Sequence, residues 1–195
     1  KAKADENYKN FRVKRWINTK DTEEDLPVIT PTTLATGDNA YVKPSLSYLG
    51  LKDMFGDEAF KKYLHVYMDR WNGKHPIPWD FFNSISDASG QDLNWYWNNW
   101  FFSNNYIDLA ITKVSIKGSN YSVALNNVGG FAIPFDVKIT YADGTAEVIH
   151  QTPMVWKANQ KAFSVQFNAK KPVTAIVIDG GIYMDATPAD NDWRK

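Results

Sequence analysis

The 195 residues suffice for one large domain or two small ones, and a composition 44% hydrophobic and 15% aromatic supplies a packed core. Lysine plus arginine balance aspartate plus glutamate at 22 each, which leaves no long-range field to gather phosphate backbones or anionic lipid, so nucleic acid and membrane surfaces are not expected partners. The absence of cysteine excludes disulfide scaffolds, thiolate zinc fingers and cysteine nucleophiles together.

The opening KAKADENYKNFRVKRW is too polar for a secretory signal, and no stretch approaches the roughly 20 apolar residues of a membrane helix. Cysteine usage leaves the compartment open, with a periplasmic or secreted location preferred. If the protein is exported, its signal is removed or lies upstream of Lys1. Residues 18–40, rich in Asp, Thr, Pro and Gly, read as extended loop. A helix is expected from Pro44, with Leu46, Leu49 and Leu51 as its apolar members and Gly56 ending it. Asp57 then reads as the N-cap of a second helix carrying Phe60, Tyr63, Leu64, Tyr67, Met68 and Trp71 at helical spacing, stopped by Asn72-Gly73. A third helix runs from Trp79 to Ala88, closed by Ser89-Gly90. The fourth, DLNWYWNNWFF, places Leu93, Tyr96, Trp97, Trp100 and Phe101 on one face.

Beyond Asp108 the period drops to two. Tyr121, Val123 and Leu125 alternate, as do Phe135, Val137, Ile139 and Tyr141, then Phe163, Val165 and Phe167, while VTAIVID is a more continuously apolar strand. Asp143-Gly144 predicts a hairpin turn. The fold class is therefore α+β. Residues 1–107 form a helical part, and 108–195 form an antiparallel β-sandwich of immunoglobulin or fibronectin type.

The chemistry-bearing residues are sparse. His65, His75 and His150 are never four residues apart, and HExxH is absent, so no metal site is expected in this chain. No G-x-S-x-G exists, and Gly129-Gly130 and Gly180-Gly181 lack the lysine and hydroxyl residue of a phosphate loop. Asp185, Asp190 and Asp192 crowd near Asn191 and could offer calcium its oxygen ligands. Without the EF-hand spacing, a solvated turn is the preferred reading. Trp95, Trp97 and Trp100 could form a platform for sugars or bases, but the spacing of Tyr96, Trp97, Trp100 and Phe101 favours packing and leaves only Trp95 exposed. From the residues alone, Tyr41 packs at a helix entrance and Lys43 is solvated.

From Tyr41 to Phe102 the order of features resembles the end of the catalytic domain in the gluzincin zinc peptidases, the aminopeptidase N and leukotriene hydrolase family. The matching pieces are AYVKPSLSYLGLKDMFGDEAFKKYLHVYMDRWNGKHPIPWDFFNSIS and SGQDLNWYWNNWF. They hold, in order, a Y-x-K-P signature at a helix start, a G-[DE]-E-x-F helix, a W-x-x-K-H-P turn, a D-F-F helix and an S-G-x-D-L opening. The resemblance implies that the first part is the end of a thermolysin-like catalytic domain, that residues 1–40 connect to it from an absent segment bearing HExxH and a zinc-ligating glutamate, and that a small β-sandwich follows. It assigns Tyr41 to the catalytic set. In the family zinc polarises the peptide carbonyl, and the tyrosine hydroxyl donates a hydrogen bond to the developing oxyanion. Lys43 and Pro44 belong to the signature without an assigned role.

On this reading the chain is a fragment of an enzyme that removes N-terminal residues from peptides. It carries no zinc site, is inactive alone, and exposes apolar surface, open to self-association, where the missing segment packs. The start at Lys1 rather than methionine agrees with a portion of a longer product. The alternative is a stand-alone, non-catalytic module that binds protein or glycan.

Overall fold

The computed structural model describes residues 2–20, 26–31, 33–34 and 37–195. Residues 21–25, 32, 35 and 36, and with them part of the expected loop 18–40, lie outside the described residues. The chain opens with α1 (Ala2–Tyr8), a π-helical turn at Lys9–Val13 and α2 (Lys14–Thr19). These helices depart from the polar connection expected there. The signal lies in Val13, Trp16 and Ile17, spaced i, i+3, i+4, all buried, with the Trp16 ring 6.0 Å from that of Phe131. A second π-helical turn, Asp38–Val42, takes up the end of the expected loop and leads into α3 (Lys43–Phe55).

Three helices follow: α4 (Asp57–Trp71), α5 (Pro78–Ser89) and α6 (Asn94–Phe101). Pro44 lies in the first turn of α3, where its missing N–H loses nothing. Gly56, with φ of 78°, serves both as the last cap of α3 and the first of α4, a conformation that disfavours any side chain. That displaces Asp57 from the expected N-cap into the first helical turn, where its carboxylate pairs with Lys52 at 3.1 Å. The buried stripe of α3 is Lys43, Leu46, Ser47, Gly50 and Leu51. Leu49 stands off that face, 39% exposed. Gly50 belongs to the stripe because a Cβ there would overlap the Tyr96 hydroxyl, which donates to the Ser47 carbonyl at 2.7 Å.

Seven strands complete the chain: β1 (Leu109–Lys117), β2 (Asn120–Asn127), β3 (Phe135–Tyr141), β4 (Ala146–Gln151), β5 (Ala162–Asn168), β6 (Val173–Asp179) and β7 (Asp192–Arg194). They form two antiparallel sheets, ordered β1-β2-β5 and β4-β3-β6-β7, so the chain is α+β. Asp143-Gly144 makes the β3–β4 turn, its Asp143 carboxylate accepting from the Thr145 N–H at 3.0 Å.

The helical and stranded parts share one buried cluster. Trp100 of α6 stacks on Phe131 of the β2–β3 connection, with centroids 4.1 Å apart and planes 7° from parallel, and its indole N–H donates to the Ala132 carbonyl at 3.1 Å. Beside it the Asn99 amide donates to the Gly130 carbonyl at 2.7 Å and accepts from the Ala132 N–H at 2.8 Å, as a missing strand partner would. Tyr183 donates to the Leu46 carbonyl at 3.0 Å from the far side. The Trp-rich helix is thus packing surface: Trp97 and Trp100 are buried, and Trp95, expected exposed, is half-buried and in edge contact with Tyr96.

Candidate functional site

The turn Asp38–Val42 buries Asn39 and Val42 and leaves Ala40 and Tyr41 on its outer face. Val42 and Lys43 are fully buried, whereas Tyr41 is 60% exposed. Lys43 is therefore not the solvated side chain expected from the residues alone. Its stem runs beside Trp16, with Nζ 5.8 Å from the ring, and Nζ donates to the Leu26 carbonyl at 2.8 Å. One turn earlier, buried Asn39 donates to the carbonyls of Leu26 and Pro27 at 2.7 and 3.0 Å. The two side chains fasten the Leu26–Pro27 segment under the turn, and its continuation is held by the Ile29 N–H donating to the Phe101 carbonyl at 3.0 Å.

Tyr41 is gripped by its backbone rather than by its ring. Its carbonyl accepts from the Tyr8 hydroxyl at 3.0 Å and from the Ser45 hydroxyl, and the Arg12 guanidinium lies 5.6 Å from the ring centroid. Among the described residues the Tyr41 hydroxyl has no hydrogen-bond partner. The geometry leaves a phenol hydroxyl presented to solvent from a held backbone, a donor available to a group outside these residues. Tyr8 and Arg12 had no place in the sequence-based site; their i, i+4 spacing, across the end of α1 and the π-helical turn that continues it, was the available signal.

An open apolar groove of about 890 Å³ lies on the other flank of the same turn, lined by Ala40, Pro44, Tyr48, Leu64, Tyr67 and Phe81 among others. At its rim Met68 and Ile77 are more than half exposed. The aromatic floor is rigid, with Phe81 in edge contact with both Tyr48 and Tyr67.

The three histidines do not converge. His65 and His75 are exposed on α4 and in the turn after it. His150 on β4 instead bridges the two parts of the chain, its Nδ1 2.6 Å from Asp136 of β3 and its Nε2 3.0 Å from Asp53 of α3. Burial pulls its pKa down, but the hydrogen bonds and charges of Asp136 and Asp53 more than offset this, and the net position lies above the ordinary value of about 6.5. A raised folded-state pKa means that the bridge stabilises fully below the unfolded value and fades as pH climbs through the folded one. We therefore expect the stability difference between the unaltered protein and His150→Gln, read by urea unfolding, to be largest in mild acid and to shrink steadily above about pH 6.5. Because the pair is half exposed its effect stays in the range of a screened surface bridge. A difference independent of pH would rule the bridge out.

Among the described residues one group of carboxylates converges. Asp108, Asp185 and Asp190 each place a ligand oxygen within 4.8 Å of the others. The sequence had grouped Asp185 and Asp190 with Asp192, but Asp192 pairs with Arg194 at 2.7 Å, and the third member comes from the head of β1. Burial and the neighbouring Asp185 hold the carboxyls of Asp108 and Asp190 above the usual carboxylate range. No arrangement of histidine with carboxylate suited to zinc occurs among the described residues.

No family model matches the chain. Over 60 residues it is 33% identical to aminopeptidase N of Lactococcus lactis subsp. lactis, a match covering 31% of this chain and 7% of that protein. The fold superposes on the crystal structure of Legionella pneumophila aminopeptidase A in complex with aspartic acid, with a TM-score of 0.60 and 18% identity, over 86% of this chain and 20% of that one. The chain thus spans only a small part of either protein. It is similar to aminopeptidases in sequence over a limited stretch, and it shares the fold of one of them over most of its length.

Proposed function

We propose that this chain is the closing part of the catalytic domain, residues 1–107, and the following β-sandwich, residues 108–195, of a gluzincin zinc aminopeptidase that removes N-terminal residues from peptides. Tyr41 is the oxyanion-stabilising donor of that enzyme. The observation that carries the reading is the division within the Y-x-K-P signature. Lys43 is turned inward as an anchor and Pro44 lies in the first turn of α3, while Tyr41 stands outside with a hydroxyl that has no partner among the described residues. The carbonyl of residue 41 is clamped by Tyr8 and Ser45, which fixes the position from which the phenol is offered. The likeness to two aminopeptidases supports the family, and the two antiparallel sheets of three and four strands support the immunoglobulin- or fibronectin-like sandwich.

The donor set of the described residues does not fit zinc; the zinc of the intact enzyme would belong to a segment bearing HExxH. What these residues supply is a hydrogen bond. As the peptide carbonyl gains negative charge, the Tyr41 O–H would donate to the oxyanion and bind it more tightly than the ground-state carbonyl. The groove lined by Tyr48, Tyr67 and Phe81 is the surface on which the rest of the catalytic domain packs, and self-association is its consequence where that partner is absent.

The test is the size of the native protein. Antibodies raised against this chain should capture from its source a product several times larger than 22.3 kDa whose peptides include an HExxH sequence. Capture of a product near 22.3 kDa would overturn the fragment reading and favour a free-standing binding module.

A further inference from the structure

Asp108 occupies the junction where the helical part ends and β1 begins. Its carbonyl accepts from the N–H groups of Val128 and Gly129, and its Oδ2 accepts from the Thr187 hydroxyl at 3.2 Å. The side chain is only 5% exposed, yet Oδ1 meets no donor. Asp185 is held facing it, one oxygen accepting from the Leu109 N–H and the other from the Thr187 N–H, both at 2.8 Å. Asp190 arrives from the next turn, and its Oδ1 is buried without a donor as well. So is Oδ1 of the adjoining Asn191, itself 5% exposed. Asp108 and Asp190 each keep a buried oxygen without a donor, and Asp185, though its own oxygens are satisfied, brings a third carboxyl group against them, an arrangement that a compensating cation would relieve. The Lys20 ammonium lies over the Tyr106 ring, 4.8 Å from its centroid, and its field offsets part of the charge on Asp108.

We propose that Asp108, Asp185 and Asp190 form a calcium-binding site that clamps the C-terminal segment onto the junction of the helical and stranded parts. All the converging ligands are oxygens, which selects a hard cation over zinc. Oxygens bound to one calcium at about 2.3–2.6 Å lie at most about 5 Å apart, and the three carboxylates meet that limit at 4.8 Å. Asn191 Oδ1 is the nearest further oxygen in sequence, and water completes the shell. A cleft of about 580 Å³ reaches the edge of this cluster at Asp185, with Pro188 and Asn191 beside it in the lining. The clamp would act on the fold, and it stands or falls separately from the peptidase reading.

Protein stripped with a chelator and titrated calorimetrically with calcium chloride should bind one equivalent. With a Kd of about 10⁻⁴ M, about 1 mM calcium should raise the Tm by about 3–6 °C. Asp108→Asn and Asp190→Asn should each weaken calcium binding about tenfold or more. The unaltered protein alone decides the matter if either variant fails to fold. No heat and no Tm shift at about 5 mM calcium would overturn the proposal. An equal shift with magnesium chloride would overturn the calcium assignment, since magnesium demands a tighter octahedral set and keeps its water.

Discussion

Replacing Tyr41 by phenylalanine in the intact, longer enzyme should lower kcat by about 10²–10³-fold while leaving its zinc content and fold unchanged. The size of the effect follows from the role. A donor aimed at the oxyanion acts in the transition state more than in the ground state, so its loss falls on turnover rather than on KM. The cleanness of the effect follows from the structure. Among the described residues the hydroxyl bonds to nothing, and the ring is 60% exposed, so removing one oxygen disturbs no internal contact and should shift stability by less than about 0.5 kcal/mol. The backbone grip of Tyr8 and Ser45 survives the substitution, because both bond to the carbonyl of residue 41. Steady-state kinetics together with metal analysis decide it. Turnover within twofold of the unaltered enzyme, with zinc retained, would end the oxyanion assignment.

Trp100→Ala should be the most damaging single change to the fold, at about 3–5 kcal/mol. For a chain of this length that lowers the Tm by about 6–20 °C. The indole is fully buried, stacked on Phe131, and bonded to the Ala132 carbonyl, so its removal empties a large volume and leaves an acceptor unpaired at the seam of the two parts. Trp79→Ala is the matched control. Trp79 is 50% exposed, packs edge-on against Phe102, and should cost far less. Urea unfolding followed separately by helix and aromatic signals reads both quantities. Because one cluster spans the helices and sheets, the two signals should shift together in Trp100→Ala. If Trp100→Ala costs no more than Trp79→Ala, or only one signal moves, the shared core does not hold the parts as one unit.

Elements α3 to α6 were readable because an apolar stripe recurs at helical spacing in each, with Pro44 at the start of α3, Gly56 between α3 and α4, Asn72-Gly73 after α4 and Gly90 closing α5. The strands were readable for the same reason, since one buried face imposes a period of two on Tyr121, Val123 and Leu125. The first helices were missed because ten polar or charged residues precede Trp16 and only Val13, Trp16 and Ile17 report a buried face. Their stability comes from docking on Phe131, more than 110 residues away, which no local window contains. Lys43 was misplaced for a related reason: its partner, the Leu26 carbonyl, is a backbone atom and leaves no trace in residue type.

The candidate site divides along the same line. By itself the sequence determined the types of element, the turn at Asp143-Gly144, and the ordered series of motifs in which Tyr41 stands, because these depend on spacing along a short piece of chain. Only the tertiary structure decided which way Tyr41 and Lys43 face, that His150 joins α3 to the second sheet, and that Asp108 rather than Asp192 completes the carboxylate cluster. Asp108 and Asp185 are 77 positions apart, and their meeting is set by how the last turns close over the head of β1, a packing outcome of the whole core.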